Sequence, residues 1–166
     1  GTAPGEPPLE LAREVAGSPS LNMRGIMGYE GFCQNIIDLG ERREKAARAM
    51  AELVSNRDLL DDKGFSTEIV SAGGTGTHMI TAEYPGVTEV EAGSYIFMDT
   101  TYARVEGLEM YDPALTVLST IISLPRPGIA ICDAGRKTIT FEPTRLMPTV
   151  KGLGGIAYEA SSEEHG

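Results

Sequence analysis

The sequence has no tryptophan, only 6% aromatic residues and just two cysteines, Cys33 and Cys132. Two lone cysteines make no disulfide framework, and no C-x-x-C pair is present for zinc binding or thiol redox chemistry. Positive charge is also scarce. Lys plus Arg number 14 against 24 Asp plus Glu, a net charge of −10. That deficit argues against nucleic-acid and anionic-membrane partners, which need basic surfaces. No apolar run approaches the roughly eighteen residues of a bilayer span. No basic-then-apolar leader is visible either, which makes the cytoplasm the expected compartment.

What is present is 41% hydrophobic residues, 20 Gly and 10 Pro in 166 residues. This composition supports a packed core with many tight turns. The chain starts at Gly1 in a Gly/Pro-rich stretch and stops at Gly166 with no helix stop before it, so it is expected to be an excerpt of a longer protein.

Pro7 to Ala16 reads as a short amphipathic helix, with Pro at its start and Leu11 and Val15 four apart. Leu21 to Tyr29 reads as a strand interrupted by Gly25 and Gly28, which implies close approach to its backbone. From Asn35 to about Leu60 the spacing of Ile36, Leu39, Arg43, Ala46, Ala47, Met50, Leu53 and Val54 predicts a long surface helix. The Glu41/Lys45 and Glu44/Arg48 pairs lie i, i+4 on its solvent side. Asp61 to Gly64 closes it. Thr67 to Ser71 is a second strand, running into a glycine-rich turn and a brief helix over His78 to Ala82. Ser94 to Met98 is a third candidate strand. Strand, helix, strand, turn, helix is the grammar of βα units and a parallel sheet.

After Asp99 the grammar changes. Thr116–Ser123, Gly128–Asp133 and Lys137–Phe141 read as strands with no room for helices between them, which is antiparallel β. The expected organisation is α/β before a boundary near residues 100–112 and mostly β after it.

The turn Gly73-Gly74-Thr75-Gly76-Thr77 follows a strand and precedes a helix, where backbone N–H groups and hydroxyls suit a phosphate. It matches neither nucleotide motif, since no Lys follows and the spacing is not G-x-G-x-x-G. An ordinary tight turn is the alternative. Gly93-Ser94-Tyr95 is a second hydroxyl-rich turn, and two such turns at neighbouring strand ends would make one anion site. Tyr29 could donate into a pocket or simply bury its ring. His78 reads as a structural or surface residue. Glu163-Glu164-His165 could ligate a metal or act as a base, with a solvated acidic end as the plain alternative. Lys137 could be an imine-forming lysine or part of a basic hairpin turn. No Ser/His/Asp or Cys/His set emerges from spacing, so no catalytic and no metal-ligating residue is assigned.

Taken in order, five motifs carry a resemblance. They are Gly28-Tyr29-Glu30-Gly31, the Ser71–Thr77 turn, Val87 to Asp99, Cys132-Asp133-Ala134-Gly135-Arg136-Lys137, and Ser162-Glu163-Glu164-His165-Gly166. Together they resemble the D-threonine aldolase and D-serine dehydratase family, pyridoxal-phosphate enzymes of the alanine-racemase-like fold type. The resemblance implies later βα units of a (β/α)8 barrel over residues 1–105 and part of a β-rich C-terminal domain over 106–166. It implies that Gly74, Thr75, Gly93, Ser94 and Tyr95 cradle the cofactor phosphate, with Tyr29 beside the ring. Such neutral donors would let an acidic chain hold a dianion.

The implied function is part of a pyridoxal-phosphate-dependent lyase acting on small D-amino acids, as a D-3-hydroxy amino acid aldolase or dehydratase, in a homodimer. A divalent metal, zinc or manganese, is implied with ligands outside this chain. Where relatives carry His after Tyr-Glu-Gly, this sequence has Phe32. The family's imine-forming Lys is expected upstream of Gly1 and its metal pair downstream of Gly166, so the 166 residues alone are expected to be inactive. The rival readings are a non-catalytic module that binds a phosphate ligand and a structural remnant.

Overall fold

A computed structural model describes residues 1–139 and 147–166. They form two compact units. The first is Gly1–Ile96 with Val105–Met110, and the second is Phe97–Arg104 with Tyr111–Gly166.

The first unit runs α1 (Glu6–Gly17), β1 (Gly25–Gly28), α2 (Leu39–Asp62), β2 (Ile69–Ala72), α3 (His78–Ala82) and β3 (Glu89–Val90). Its three strands make one parallel sheet in the order β1-β2-β3. The register sets Gly25 against Ile69 and Gly28 against Ala72, and then Ala72 against Val90. All three strands therefore end on one edge of the sheet, where ligands of parallel α/β folds bind.

Both strand glycines have a packing reason. A Cβ on Gly25 would lie 1.9 Å from the Ile69 carbonyl oxygen, and one on Gly28 would lie 2.9 Å from the Leu53 side chain of α2. The close approach expected from the sequence comes from the protein itself. Leu9, Ala12 and Leu60 form a buried cluster, with Met23, Ile26 and Phe65 packed on it. This cluster joins α1, β1 and the end of α2.

The long helix begins at Leu39 rather than Asn35, because the Asp38 side chain caps it by accepting the Glu41 N–H at 2.6 Å. Its buried residues are Arg42, Ala46, Met50 and Leu60. The sequence spacing put Arg43 on this stripe, yet Arg43 is exposed and Arg42 is buried. Arg42 turns inward because its guanidinium binds three carbonyls, those of Ile36 (2.6 Å), Ile37 (3.1 Å) and Glu106. The Glu41–Lys45 and Glu44–Arg48 pairs form as expected on the solvent side. Gly64, at φ +85°, ends the helix, with Phe65 N–H reaching back to the Leu60 carbonyl.

The third strand is Glu89–Val90, not Ser94–Met98, where a 3-10 turn covers Ser94–Ile96. The apolar run Tyr95-Ile96-Phe97 is exposed and belongs to neither of the two sheets among the described residues. Val87 to Glu91 instead reaches β2. The Val70 N–H donates to Thr88 Oγ1 at 2.8 Å, Thr88 N–H to the Val70 carbonyl and Glu91 N–H to the Ala72 carbonyl, each at 3.0 Å.

In the second unit β4 (Ile121–Arg126) pairs antiparallel with β5 (Ile129–Cys132). The expected strand from Thr116 is confined to its end, and residues 116–120 are not strand. Lys137 to Ile139 form a turn rather than a strand, since the N–H groups of Thr138 and Ile139 both bond to the Gly135 carbonyl. Thr140 and Phe141 of that expected strand lie outside the described residues. Among the described residues no helix is long and apolar enough to cross a membrane.

The β1–β2 contact is testable. Gly25→Ala should lower stability by more than about 2 kcal/mol in urea unfolding, since backbone must move to admit the methyl group. Gly17→Ala, with nothing within 4 Å of its Cβ position, should change it by no more than about 1 kcal/mol and in the stabilising direction.

Candidate functional site

Three loops leave the shared edge of the parallel sheet. Tyr29 and Glu30 follow β1, Gly73 to Thr77 follow β2, and Gly93 to Tyr95 follow β3. The last two are joined directly: Tyr95 N–H donates to Thr75 Oγ1 at 2.9 Å. The pairing of the two hydroxyl-rich turns expected from the sequence is therefore present, at the ends of neighbouring strands.

The six residues of that reading fall into two sets. Tyr29, Gly93, Ser94 and Tyr95 are exposed, whereas Gly74 and Thr75 are buried. A Cβ on Gly93 would meet nothing within 4 Å, so the space over that turn is open. The glycine-rich turn is closed by contrast. A Cβ on Gly74 would lie 2.7 Å from Gln34 Oε1, and one on Gly76 would lie 2.1 Å from the Gln34 carbonyl oxygen. Gly73 sits at φ +81° against Thr81. These three glycines are required by the protein's own packing.

Sequence reasoning missed what fills that space. Glu30 and Gln34, each 2% exposed, come from the loop after β1 and insert beneath the turn. Glu30 Oε2 accepts the Gly73 N–H at 3.3 Å. Its Oε1 accepts the Thr77 hydroxyl, the Thr81 hydroxyl at 3.2 Å and Gln34 Nε2 at 3.5 Å. Gln34 Nε2 also donates to Thr77 Oγ1 at 2.9 Å, while Gln34 Oε1 accepts the Gly76 N–H at 2.8 Å. The Gly74 N–H donates to Thr77 Oγ1 at 3.2 Å. A sequence signal was available. Two polar residues four apart, Glu30 and Gln34, flank the buried Cys33, and a buried polar group needs partners. His78 Nδ1 contacts the Thr75 carbonyl at 2.8 Å, a local bond that agrees with its reading as structural.

A cavity of about 810 Å³ opens beside β1, lined among others by Leu11, Val15, Met23, Met27, Tyr29 and Leu53. Tyr29 borders it, while residues 73–77 and 93–95 do not. Among the described residues no three His, Cys, Asp or Glu side chains converge as a metal set.

In the second unit the fourth and fifth sequence motifs meet. Cys132 and Gly166 exchange two backbone hydrogen bonds, at 2.9 and 3.1 Å, and Arg136 N–H reaches the Ser162 carbonyl at 3.1 Å. Gly135 allows this contact, because a Cβ there would lie 2.4 Å from the backbone of Glu164. Lys137 pairs with Glu163 at 3.2 Å and Glu164 at 2.5 Å, which raises the pKa of its ammonium through those hydrogen bonds. Lys137 and the two glutamates are thus an exposed ion cluster.

Residues 114–166 match the family described as "Putative serine dehydratase domain". The whole chain is 31% identical to a 3-hydroxy-D-aspartate aldolase of Paracoccus denitrificans and covers 44% of it. It superposes on a crystal structure of D-threonine aldolase from Filomicrobium marinum with TM-score 0.94 and 33% identity, over 99% of this chain and 44% of that one. Over its whole length this chain is similar to these aldolases, and its residues 114–166 match the serine dehydratase domain family. It spans less than half the length of these relatives. An alanine-racemase-like protein of Idiomarina loihiensis, at 19% identity and TM-score 0.80 over 99% of this chain and 47% of that one, shares the fold.

Cys33 lies fully buried beside Glu30, and burial, followed by the nearby carboxyl, pushes its thiol pKa up. Alkylation needs the thiolate and access. At pH 8 iodoacetamide should leave residue 33 unmodified in the folded protein and label it after unfolding, as read by mass spectrometry of the tryptic peptide. Labelling in the folded state would show that the loop after β1 opens.

Proposed function

We propose that this chain is part of a pyridoxal-phosphate-dependent lyase that acts on D-3-hydroxy amino acids, as an aldolase or a dehydratase. The likeness to the aldolases and to the serine dehydratase domain family supports the reaction class. The observation that carries the cofactor reading is the bond from Tyr95 N–H to Thr75 Oγ1, which docks an exposed turn onto a rigid one at the binding edge of the sheet. The donor set fits a phosphate. Ser94 and Tyr95 offer hydroxyls, Gly93 opens onto free space, and the exposed Tyr29 follows the neighbouring strand end. Thr75, backed by Gly74, holds the backbone of residue 95 from behind.

When bound, pyridoxal phosphate supplies an electron sink for bonds at the substrate's Cα. This chain's part is to fix the phosphate end and so orient the ring. Among the described residues no three His, Cys, Asp or Glu side chains converge to hold the divalent metal that the resemblance implies, and no step is derived through it. Residues 1–105 are assigned to a (β/α)8 barrel and 106–166 to a β-rich domain. That boundary falls within the 97–110 stretch where the chain passes between its two compact units. A homodimer in the cytoplasm completes the proposal.

Titration of pyridoxal phosphate into the whole protein, followed by absorbance, tests it. Gly93→Val should keep the fold, having open space, and weaken binding by at least about tenfold. Thr75→Ala removes a hydrogen bond and should weaken it by about 3- to 10-fold, a loss of roughly 0.5–1.5 kcal/mol. Thr138→Ala, in the second unit, should leave affinity unchanged. Wild-type affinity in both folded Gly93→Val and Thr75→Ala would move the phosphate elsewhere.

A further inference from the structure

We propose that Gln34 and Glu30 are positioning residues: their buried network under residues 73–77 sets the shape of the phosphate-binding loop pair through Thr75. The proposal rests on the phosphate reading above and deepens it.

The sequence pattern Gly-Gly-Thr-Gly-Thr suggests a cradle for an external anion, but its inner side already holds a carboxyl. Glu30 receives one backbone N–H, two hydroxyls and one amide, and none of the ion pairs among the described residues involves it. Glu30 holds one end of the turn through the Gly73 N–H, and Gln34 holds the other, with its carbonyl on Gly76 N–H and its amide on Thr77 Oγ1. Between those two anchored points stands Thr75, whose hydroxyl takes the Tyr95 N–H. The path is continuous: Glu30 and Gln34 fix Gly73, Gly76 and Thr77, these fix Thr75, and Thr75 fixes Tyr95. A turn held at three of five residues presents its middle residue in one place. Loosening it spreads the exposed turn at 93–95 over many positions, and each binding event must then restore the order.

The role is local to the phosphate end of the ligand, and this separates it from general stability. The experiment compares pyridoxal phosphate with pyridoxal, which lacks the phosphate, in titrations of the whole protein. Gln34→Met keeps the volume and removes all three hydrogen bonds of the side-chain amide. Thr77→Val keeps the shape and removes the hydroxyl shared by Glu30, Gln34 and Gly74. Both should weaken pyridoxal phosphate by about tenfold while changing pyridoxal by less than about twofold. Thr77→Ser, which keeps the hydroxyl, should bind both ligands as the unaltered protein does.

Equal losses for the two ligands, or no loss for either in folded variants, would overturn the positioning role. So would a failure of both Gln34→Met and Thr77→Val to fold, judged by circular dichroism, since the network would then serve folding alone. If the unaltered protein does not prefer pyridoxal phosphate over pyridoxal, the phosphate reading itself fails. If it does and the variants keep that preference, only the positioning role fails.

Discussion

A carboxyl group with no cation partner must be given hydrogen bonds or stay in water. Glu30 is 2% exposed, and its bonds come from Gly73, Thr77, Thr81 and Gln34. That single requirement ties the loop after β1 to the loop after β2 and to α3, both of which lie more than forty residues further along the sequence. The sheet edge where ligands of such folds bind is thereby made of loops whose backbone is already committed. The neighbouring turn at 93–95 borrows its order from them through one hydroxyl.

The parallel sheet was legible because its grammar is local. Gly25 and Gly28 announce a strand that tolerates close neighbours, and the three- and four-residue spacing through Met50 announces α2. What could not be read was which of two adjacent arginines turns inward. Periodicity favours Arg43, but the carbonyls of Ile36, Ile37 and Glu106 are tertiary facts, and they select Arg42. Burial lowers the pKa of that guanidinium, while the nearby carboxyls of Glu106 and Asp38 act in the opposite sense. The third strand was misplaced for a related reason. Tyr95 to Met98 has the composition of a strand, yet β2 is already met by Thr88 to Glu91, whose alternation was the weaker signal.

At the site, the two turns and their proximity were legible and the cause of the glycines was not. Gly74 and Gly76 signal that a side chain has no room there. Whether a ligand or the protein occupies that room depends on Gln34, 42 residues upstream of Gly76. Gly135 carries the same lesson in the second unit, where the space belongs to the backbone of Glu164. The motifs at 132–137 and 162–166 were visible as words, and their meeting was visible only in space.

Arg42 has a consequence for the chain as a polymer. Its contact with the Glu106 carbonyl joins residues 64 apart. A link of that kind acts as a reversible staple: it closes a long ring in the folded state without a covalent bond, so the entropy of closure is lost on folding rather than removed beforehand from the unfolded chain. The planar fork matters, since one guanidinium grips three carbonyls on two separate stretches. A lysine at this position would present a compact ammonium without the planar fork, and would not hold the nearby Ile36 and Ile37 carbonyls and the distant Glu106 carbonyl in one fixed geometry.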